Sequence, residues 1–374
     1  MKTRAAVLRE MGAPRPYTES RPLEIVELEL EEPGPGEVLV EVGAAGLCHS
    51  DLSVIDGSRP RVMPMALGHE AAGRVVGLGT GVESLGVGDH VVLAFVPACG
   101  SCGPCRSGRA ALCEPGAAAN AKGTLLSGAI RLSDASGQPI NHHLGVSAFS
   151  EHIVVSQRSA VKVPPDLPHE VAALFGCAVL TGVGAATHSA GIKPGDTVAV
   201  FGLGGVGLAA VLGAVLAGAE RVVGVDVVAE KLYLAEALGA SETIAAGPGA
   251  VDAVREATGG GAEVVIETVG NAAVLAEAYA ATRRGGQTVT VGLPDPEQML
   301  EIPAVSLVAE ERTLRGSYLG SCVPAEDIPR FVALRAAGKL PVDNLLTGTL
   351  TLEEVNEGFE RLASGDGARQ AIVF

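Results

Sequence analysis

The sequence has no tryptophan, only 3% aromatic residues, and 27 Lys and Arg against 43 Asp and Glu. With so few aromatics, the core must be assembled from Ala, Val and Leu; 47% of the 374 residues are hydrophobic, which excludes intrinsic disorder. The shortage of cations leaves a net charge of −16, which sets most of the surface against nucleic-acid phosphates and anionic lipid, so neither partner is expected. A disulfide framework is lacking as well. Seven cysteines is an odd number, unevenly spaced in a long chain, and a reducing, cytoplasmic location is expected. The start MKTRAAVLRE has only Ala5 to Leu8 as an apolar run, too short for a signal-peptide core. One stretch, 197 to 219, carries no charge over 23 residues and could span a bilayer by length. It contains six glycines, and Gly202, Gly204, Gly205 and Gly207 crowd one short segment, which suits a turn between a strand and a helix.

What is present divides in two, as the length of 374 residues suggests. From 24 to 42 apolar residues alternate with acids or come in short runs broken by PGPG at 33 to 36, the grammar of a β-hairpin. Short apolar runs follow at 71 to 76, 90 to 95 and 151 to 155, with no long helical period between them, so the first 160 residues read as mostly β. After about residue 180, strand and helix alternate: 197 to 201 then 208 to 216, 221 to 225 then 229 to 238, 263 to 268 then 272 to 281, and 287 to 291. Strands such as VVGV at 222 to 225 and VVIE at 264 to 267 are near-continuous apolar runs, as a parallel sheet covered on both faces requires. There is no internal repeat and no low-complexity tail.

The run TVAVFGLGGVG places Gly202, Gly204 and Gly207 after a strand and before a helix, with Asp226 closing the next strand 19 residues after Gly207. Glycines there let backbone amides approach a pyrophosphate at the positive end of the helix. The Asp226 carboxylate can accept both hydroxyls of an adenosine ribose and would repel a 2′-phosphate. Val227 and Val228 follow it instead of a cation, so NAD is favoured over NADP. Lys231 either reaches the same ribose or is a solvated helix lysine.

Cys99, Cys102, Cys105 and Cys113 fall within CGSCGPCRSGRAALC. Four thiolates held this closely suit tetrahedral zinc. An iron–sulfur cluster fits less well, because seven residues precede the last cysteine and Glu114 follows it, where the bacterial signature has three and a proline. A four-sulfur site has no open position and would shape a loop without doing chemistry. Cys48 in GLCHSD, His69 in LGHE and Cys177 in FGCAVLTG could form a second, open zinc site; taken alone, Cys177 reads better as a buried small hydrophobe and His69 as a satisfied core histidine.

Taken together, GLCHSD, LGHEAAG, the four-cysteine lobe, FGCAVLTG, GLGGVG with Asp226, and the terminal SGDGARQAIVF occur in one order and spacing. Along essentially its whole length the chain resembles the zinc-containing medium-chain alcohol dehydrogenases. The segment 114 to 149, with NHHLG before SAFSEH, is similar to the liver and formaldehyde-dehydrogenase branch.

The resemblance implies a β-rich, GroES-like catalytic domain over 1–178 with a zinc lobe near 97–114. It also implies a doubly wound Rossmann domain over 179–321, a return to the first domain over 322–374, and a cleft between the two domains. It implies two zinc ions per chain, a homodimer or a tetramer, and reversible hydride transfer between a primary or aromatic alcohol and NAD by way of a zinc-bound alkoxide. The reason is chemical: an alkoxide loses hydride to give a neutral carbonyl, and zinc, which lowers the pKa of bound water from 15.7 to about 7, makes such an anion available near neutrality.

In this family's pattern Cys48, His69 and Cys177 hold the metal, Asp51 orients His69, Glu70 lies behind the metal, and Ser50 starts the proton path. His49 and Arg369 face the pyrophosphate, Val206 presses on the nicotinamide, Thr181 flanks it, and Phe95 and Leu144 line the substrate pocket. Cys322 matches no ligand position and reads as core. The chain departs from the pattern twice. Ser53 stands where the liver relay ends in a histidine, and Ala117 stands where enzymes handling the glutathione adduct of formaldehyde have an arginine. The competing readings are a thiol-adduct formaldehyde dehydrogenase, a zinc-free quinone reductase, a thiol redox sensor, and a non-catalytic NAD- and zinc-binding protein.

Overall fold

Strand Lys2–Leu8 pairs antiparallel with Leu23–Leu30 in continuous register, from Lys2 opposite Glu29 to Leu8 opposite Leu23. With Leu132–Ser133, Pro139–His142 and Met65–Ala66 these strands close a small barrel. The hairpin expected across 24 to 42 therefore does not form. Its two strands exist, Leu23–Leu30 and Glu37–Gly46, but they enter different sheets. Six residues separate them, two of them prolines without a donor, which suits no tight hairpin turn. The turn is held from outside: Arg131 Nε donates to the buried Glu37 carboxylate at 2.9 Å, and the Gly34 amide donates to the same oxygen at 2.8 Å.

Strand Glu37–Gly46 lies within a seven-stranded sheet and pairs with Glu70–Leu78, His152–Ser156 and the chain's last strand, Arg369–Val373. Both faces bury Val, Leu and Ala, and the core's aromatic side chains include Phe149 and Phe359, whose ring centroids lie 5.8 Å apart. The helices His49–Ile55 and Glu114–Lys122 interrupt the β-rich stretch. Neither announces itself by period: the first is seven residues long, and the second buries only glycine, alanine and asparagine.

The structure is a computed structural model describing residues Met1–Phe374, grouped in two units. The first comprises Met1–Cys177, Val323–Ala333 and Leu346–Phe374; the second comprises Ala178–Cys322 and Leu334–Leu345.

The second unit contains six strands, all parallel. Their spatial order is Glu242–Ala245, Arg221–Asp226, Thr197–Phe201, Ala262–Glu267, Thr282–Thr290 and Thr313–Gly316. In chain order this is 3-2-1-4-5-6, the doubly wound dinucleotide-binding arrangement, with its switch point beside Thr197–Phe201. Ala199, Phe201, Val223, Val225 and Val265 fill the layer under the helices. The charge-free segment resolves into the strand Thr197–Phe201 and the helix Gly205–Leu216, and no helix of the chain is long and apolar enough to cross a membrane.

Candidate active site

Gly46 pairs with Glu70 where two antiparallel strands end, which sets Cys48, just past one strand, close to His69, just before the other. A side chain at Gly46 would collide with Glu70, since a Cβ there would lie 2.4 Å from Glu70 Oε1. Helix His169–Leu174 packs on both strands and delivers Cys177 three residues beyond its end. Cys48, His69 and Cys177 are all buried, and one potential ligand atom of each lies within 4.8 Å of the others.

His69 Nδ1 stands 3.0 Å from Asp51 Oδ2, and both ring nitrogens are buried without a well-aligned hydrogen bond. A buried ring nitrogen without a partner is costly unless something else occupies its lone pair. Two thiols and one free imidazole nitrogen are the donor set of an open zinc site, so the residues fit a metal.

The electrostatics agree. A hydrogen bond from Cys177, aided by Arg369 and His69 and opposed by burial, holds the Cys48 thiol well below its ordinary value; the same bond and burial push Cys177 up. Burial opposes charge on His69, but Asp51 and the Cys48 thiolate raise it well above the usual imidazole range. A cation is thus favoured where the metal would sit. Burial alone would raise the Asp51 carboxyl, yet His69 and His143 hold it below the usual range.

Arg369, expected at the pyrophosphate, is only 4% exposed. Its Nη1 donates to the Leu47 carbonyl at 2.8 Å, and its Nη2 lies 3.4 Å from Glu70 Oε2. Despite burial, Glu70 and the two thiols raise its pKa further, so it is a permanent cation behind the ligands. Glu70 is fully buried beside it. On the helix that follows Cys48, His49 is exposed and Ser50 half-buried. Phe95 sets its ring edge against His69 with centroids 5.5 Å apart, and Leu144, buried at φ +52°, follows His143 in the chain.

Sequence reasoning missed His143. It is buried, its Nδ1 lies 3.0 Å from Asp51 Oδ1, and its ring meets His69 edge-on at 5.4 Å. The only signal was the pair of adjacent histidines in NHHLG. Of the two, His142 faces the barrel and accepts the Arg131 amide at 3.0 Å, with burial lowering it to about 4.

Cys99, Cys102, Cys105 and Cys113 converge within 4.8 Å of one another, with Cys99–Cys105 and Cys102–Cys113 sulfurs 4.0 Å apart. Tetrahedral zinc with bonds of about 2.3 Å requires sulfur separations of about 3.8 Å. Amides of Ser101, Cys102, Cys99 and Gly116 point at these sulfurs. Such donors pull Cys99 down to about 6, whereas burial and neighbouring thiols push Cys105 up to about 12. Without a cation this cluster would resist full ionisation, so it too fits zinc.

In the second unit, Gly202 has φ +88°, and a Cβ on Gly207 would lie 1.8 Å from the Gly202 carbonyl oxygen. A Cβ on Gly204 would meet nothing within 4 Å, and no side chain caps the helix Gly205–Leu216, leaving its amides for a ligand. Asp226 accepts the Leu203 amide at 2.6 Å and the Val228 amide at 2.9 Å, tying the loop to the neighbouring strand. Val206 is half-buried in the first turn of that helix, and Lys231 is half-buried on Ala229–Ala237. Thr181 is buried on Ala178–Gly184, which approaches the loop so closely that a Cβ on Gly182 would lie 2.2 Å from the Val206 carbonyl. Cys322 is buried and donates to the Leu180 carbonyl.

Comparison with known proteins agrees with this geometry. Residues 34–165 match the alcohol dehydrogenase GroES-like domain, and residues 205–337 match the zinc-binding dehydrogenase family. A Mycobacterium tuberculosis protein provisionally named alcohol dehydrogenase D is 41% identical over 377 residues, covering 100% of both chains. An S-(hydroxymethyl)glutathione dehydrogenase of Synechocystis is 37% identical, again over 100% of both chains. The crystal structure of benzyl alcohol dehydrogenase from Acinetobacter calcoaceticus superimposes with a TM-score of 0.90 at 31% identity, covering 100% of this chain and 99% of that one. With this likeness along its whole length, the chain belongs to the zinc-containing medium-chain alcohol dehydrogenases, enzymes that oxidise alcohols with a nicotinamide cofactor.

Proposed function

We propose that the protein interconverts an uncharged primary or aromatic alcohol and its aldehyde using NAD, with one zinc ion held by Cys48, His69 and Cys177 and a second by Cys99, Cys102, Cys105 and Cys113. The supporting observation is the buried His69 ring, whose Nδ1 faces Asp51 Oδ2 at 3.0 Å and which offers a ring nitrogen within 4.8 Å of the Cys48 and Cys177 sulfurs. When bound, the metal at this site supplies the Lewis acidity that brings alcohol deprotonation close to neutral pH.

The chain's own residues do the rest. Asp51 fixes the tautomer and orientation of His69. Glu70 and Arg369 set the field behind the thiolates. Ser50, half-buried in the first turn after Cys48, hydrogen-bonds the substrate hydroxyl and relays its proton, giving up its own to water as it receives the substrate's. The glycine loop and Asp226 hold the dinucleotide, with His49, Arg369, Thr181, Val206 and Lys231 as its further contacts. Phe95 and Leu144 shape an apolar substrate pocket. NAD is the cofactor because a buried carboxylate that grips the loop also repels a 2′-phosphate.

The likeness to an S-(hydroxymethyl)glutathione dehydrogenase favours a second reading, oxidation of the anionic formaldehyde–glutathione adduct. Against it, EPGAAANA at 114 to 121 contains no cation, and Ala117 stands exposed on helix Glu114–Lys122.

A homodimer is expected because strand Thr313–Gly316 ends the parallel sheet unpaired on one side, and Met299, Val305 and Val308 nearby in the sequence are 81%, 71% and 81% exposed. Seven free cysteines suit the reducing cytoplasm.

The test is a panel of benzyl, primary aliphatic and secondary alcohols plus the glutathione adduct, each with NAD and NADP, compared by kcat/KM. Preference for the adduct, or for NADP, would overturn the corresponding part of the proposal.

A further inference from the structure

Asp51 is wholly buried, and its two carboxylate oxygens are divided between neighbours. Oδ2 faces His69 Nδ1 at 3.0 Å. Oδ1 accepts the Gly68 amide at 3.0 Å and faces His143 Nδ1, also at 3.0 Å. The imidazole of His69 also meets two rings nearly at right angles, Phe95 at 88° and His143 at 89° to its plane. His143 thus touches both the metal-orienting carboxylate and the ring it orients, and the proposed reaction gives it no role.

We infer that His143 is a positioning residue for the zinc site of Cys48, His69 and Cys177. In this role the buried His143 Nδ1, 3.0 Å from Asp51 Oδ1, carries the proton and donates it to that oxygen. With Gly68 on the same oxygen, the carboxylate cannot rotate, and Oδ2 remains directed at His69. A carboxylate that can turn aligns the His69 ring less well with the two thiolates, and partners of this kind are worth tenfold or more in metal affinity. The effect is assigned to the donor atom and not to the ring's bulk, because it is Nδ1 that lies 3.0 Å from the Asp51 carboxylate. His143 touches no substrate in this role; it acts through Asp51.

The inference rests on the zinc reading of this site, and the two can fail separately. Two variants dissociate donor from volume: His143→Phe keeps an aromatic ring but removes the Nδ1 donor, whereas His143→Asn removes the ring but places an amide N–H near the position of Nδ1. Zinc content is measured first, followed by the rate at which a chromogenic chelator withdraws the metal. The absorption spectrum of protein carrying cobalt in this site is then recorded.

The expected result is two zinc ions per chain in the parent, about tenfold faster release of one of them in His143→Phe, and near-parent release in His143→Asn. The cobalt bands should shift in the first variant and not in the second. In an Asp51→Asn background, His143→Phe should produce no further change. The four-cysteine zinc, released in its own phase, should be unaffected throughout and reports on folding. Faster release in His143→Asn than in His143→Phe would make His143 a packing residue and overturn the inference. Equal release in all three proteins would overturn it as well. Three metal ions in the parent would assign Asp51, His69 and His143 as ligands in their own right, and would overturn it too. A single zinc in the parent would instead remove the site reading on which the inference rests.

Discussion

The carboxylate of Asp226 accepts the backbone amide of Leu203 at 2.6 Å, so the acid at the end of one strand holds in place the glycine loop that follows its neighbour. Asp226 therefore has two functions, gripping the loop and selecting the cofactor, and substitutions should separate them. Asp226→Gly should weaken NAD binding, narrow the preference over NADP, and lower stability by about 1–3 kcal/mol, since two amides lose their acceptor. Asp226→Asn keeps an oxygen for one amide and removes the charge, so it should narrow the preference at smaller cost. Dissociation constants for both cofactors, with Tm, decide the matter; an unchanged preference in both variants would remove Asp226 from cofactor selection.

The two metal sites should differ in kind. Cys48→Ala is expected to abolish turnover while retaining one zinc and a near-parent Tm. Cys105→Ser should lose the other zinc and unfold earlier, because structural zinc contributes to folding. A loss of about 2 kcal/mol would lower Tm by ~4–8 °C in a domain of this size. Metal analysis beside calorimetry checks both, and iron in either site would contradict the assignment.

Gly207→Ala should fail for a steric reason unconnected with chemistry. The added methyl would lie 1.8 Å from the Gly202 carbonyl oxygen, a backbone atom that cannot move aside without displacing the strand–helix junction. Destabilisation of about 1–3 kcal/mol and loss of dinucleotide binding are expected, read by Tm and by cofactor titration. Retained binding with parent stability would show that the loop can open without cost.

Ser53 occupies the place where the liver pattern ends its relay in histidine, but its hydroxyl donates to the His49 carbonyl at 2.8 Å, one turn back along the helix. That proton is committed, and serine cannot accept one near neutrality. Ser50→Ala should lower kcat on the order of 10², and Ser53→Ala should leave it nearly unchanged. Ser53→His introduces a base that is mostly neutral above its pKa of about 6.5. It should raise the oxidation rate chiefly between pH 6.5 and 8, where hydroxide is scarce, if proton release limits turnover. The measurement is kcat against pH; equal losses in the two alanine variants would give Ser53 a relay role.

Much of this protein was legible in local patterns, because the chemistry depends on residues close in the chain. The spacing of Cys99, Cys102, Cys105 and Cys113 within one loop, and of Gly202, Gly204 and Gly207 between a strand and a helix, constrains geometry over a few residues, so a pattern read from sequence survives folding. The apolar strands at 222 to 225 and 264 to 267 likewise announced a sheet buried on both faces, and helix Ala272–Ala281 matches its expected bounds. Shorter elements such as Glu242–Ala245 and His49–Ile55 escaped because they are too brief to show a period.

Strand pairing was decided elsewhere. The hydrophobic pattern says which face of Leu23–Leu30 or Glu37–Gly46 is buried but not which strand lies alongside, and pairing partners came from Lys2–Leu8 and from the chain's last strand. The same limit applies to the site. Sequence alone supplied the expected cysteine and histidine cluster, the glycine loop and the acid that holds it. Only the tertiary structure could bring His143, more than seventy residues beyond His69, to the second oxygen of Asp51, or bury Arg369 against Glu70. Long-range contacts between buried polar groups follow from how sheets stack and strands return, and no local period encodes them.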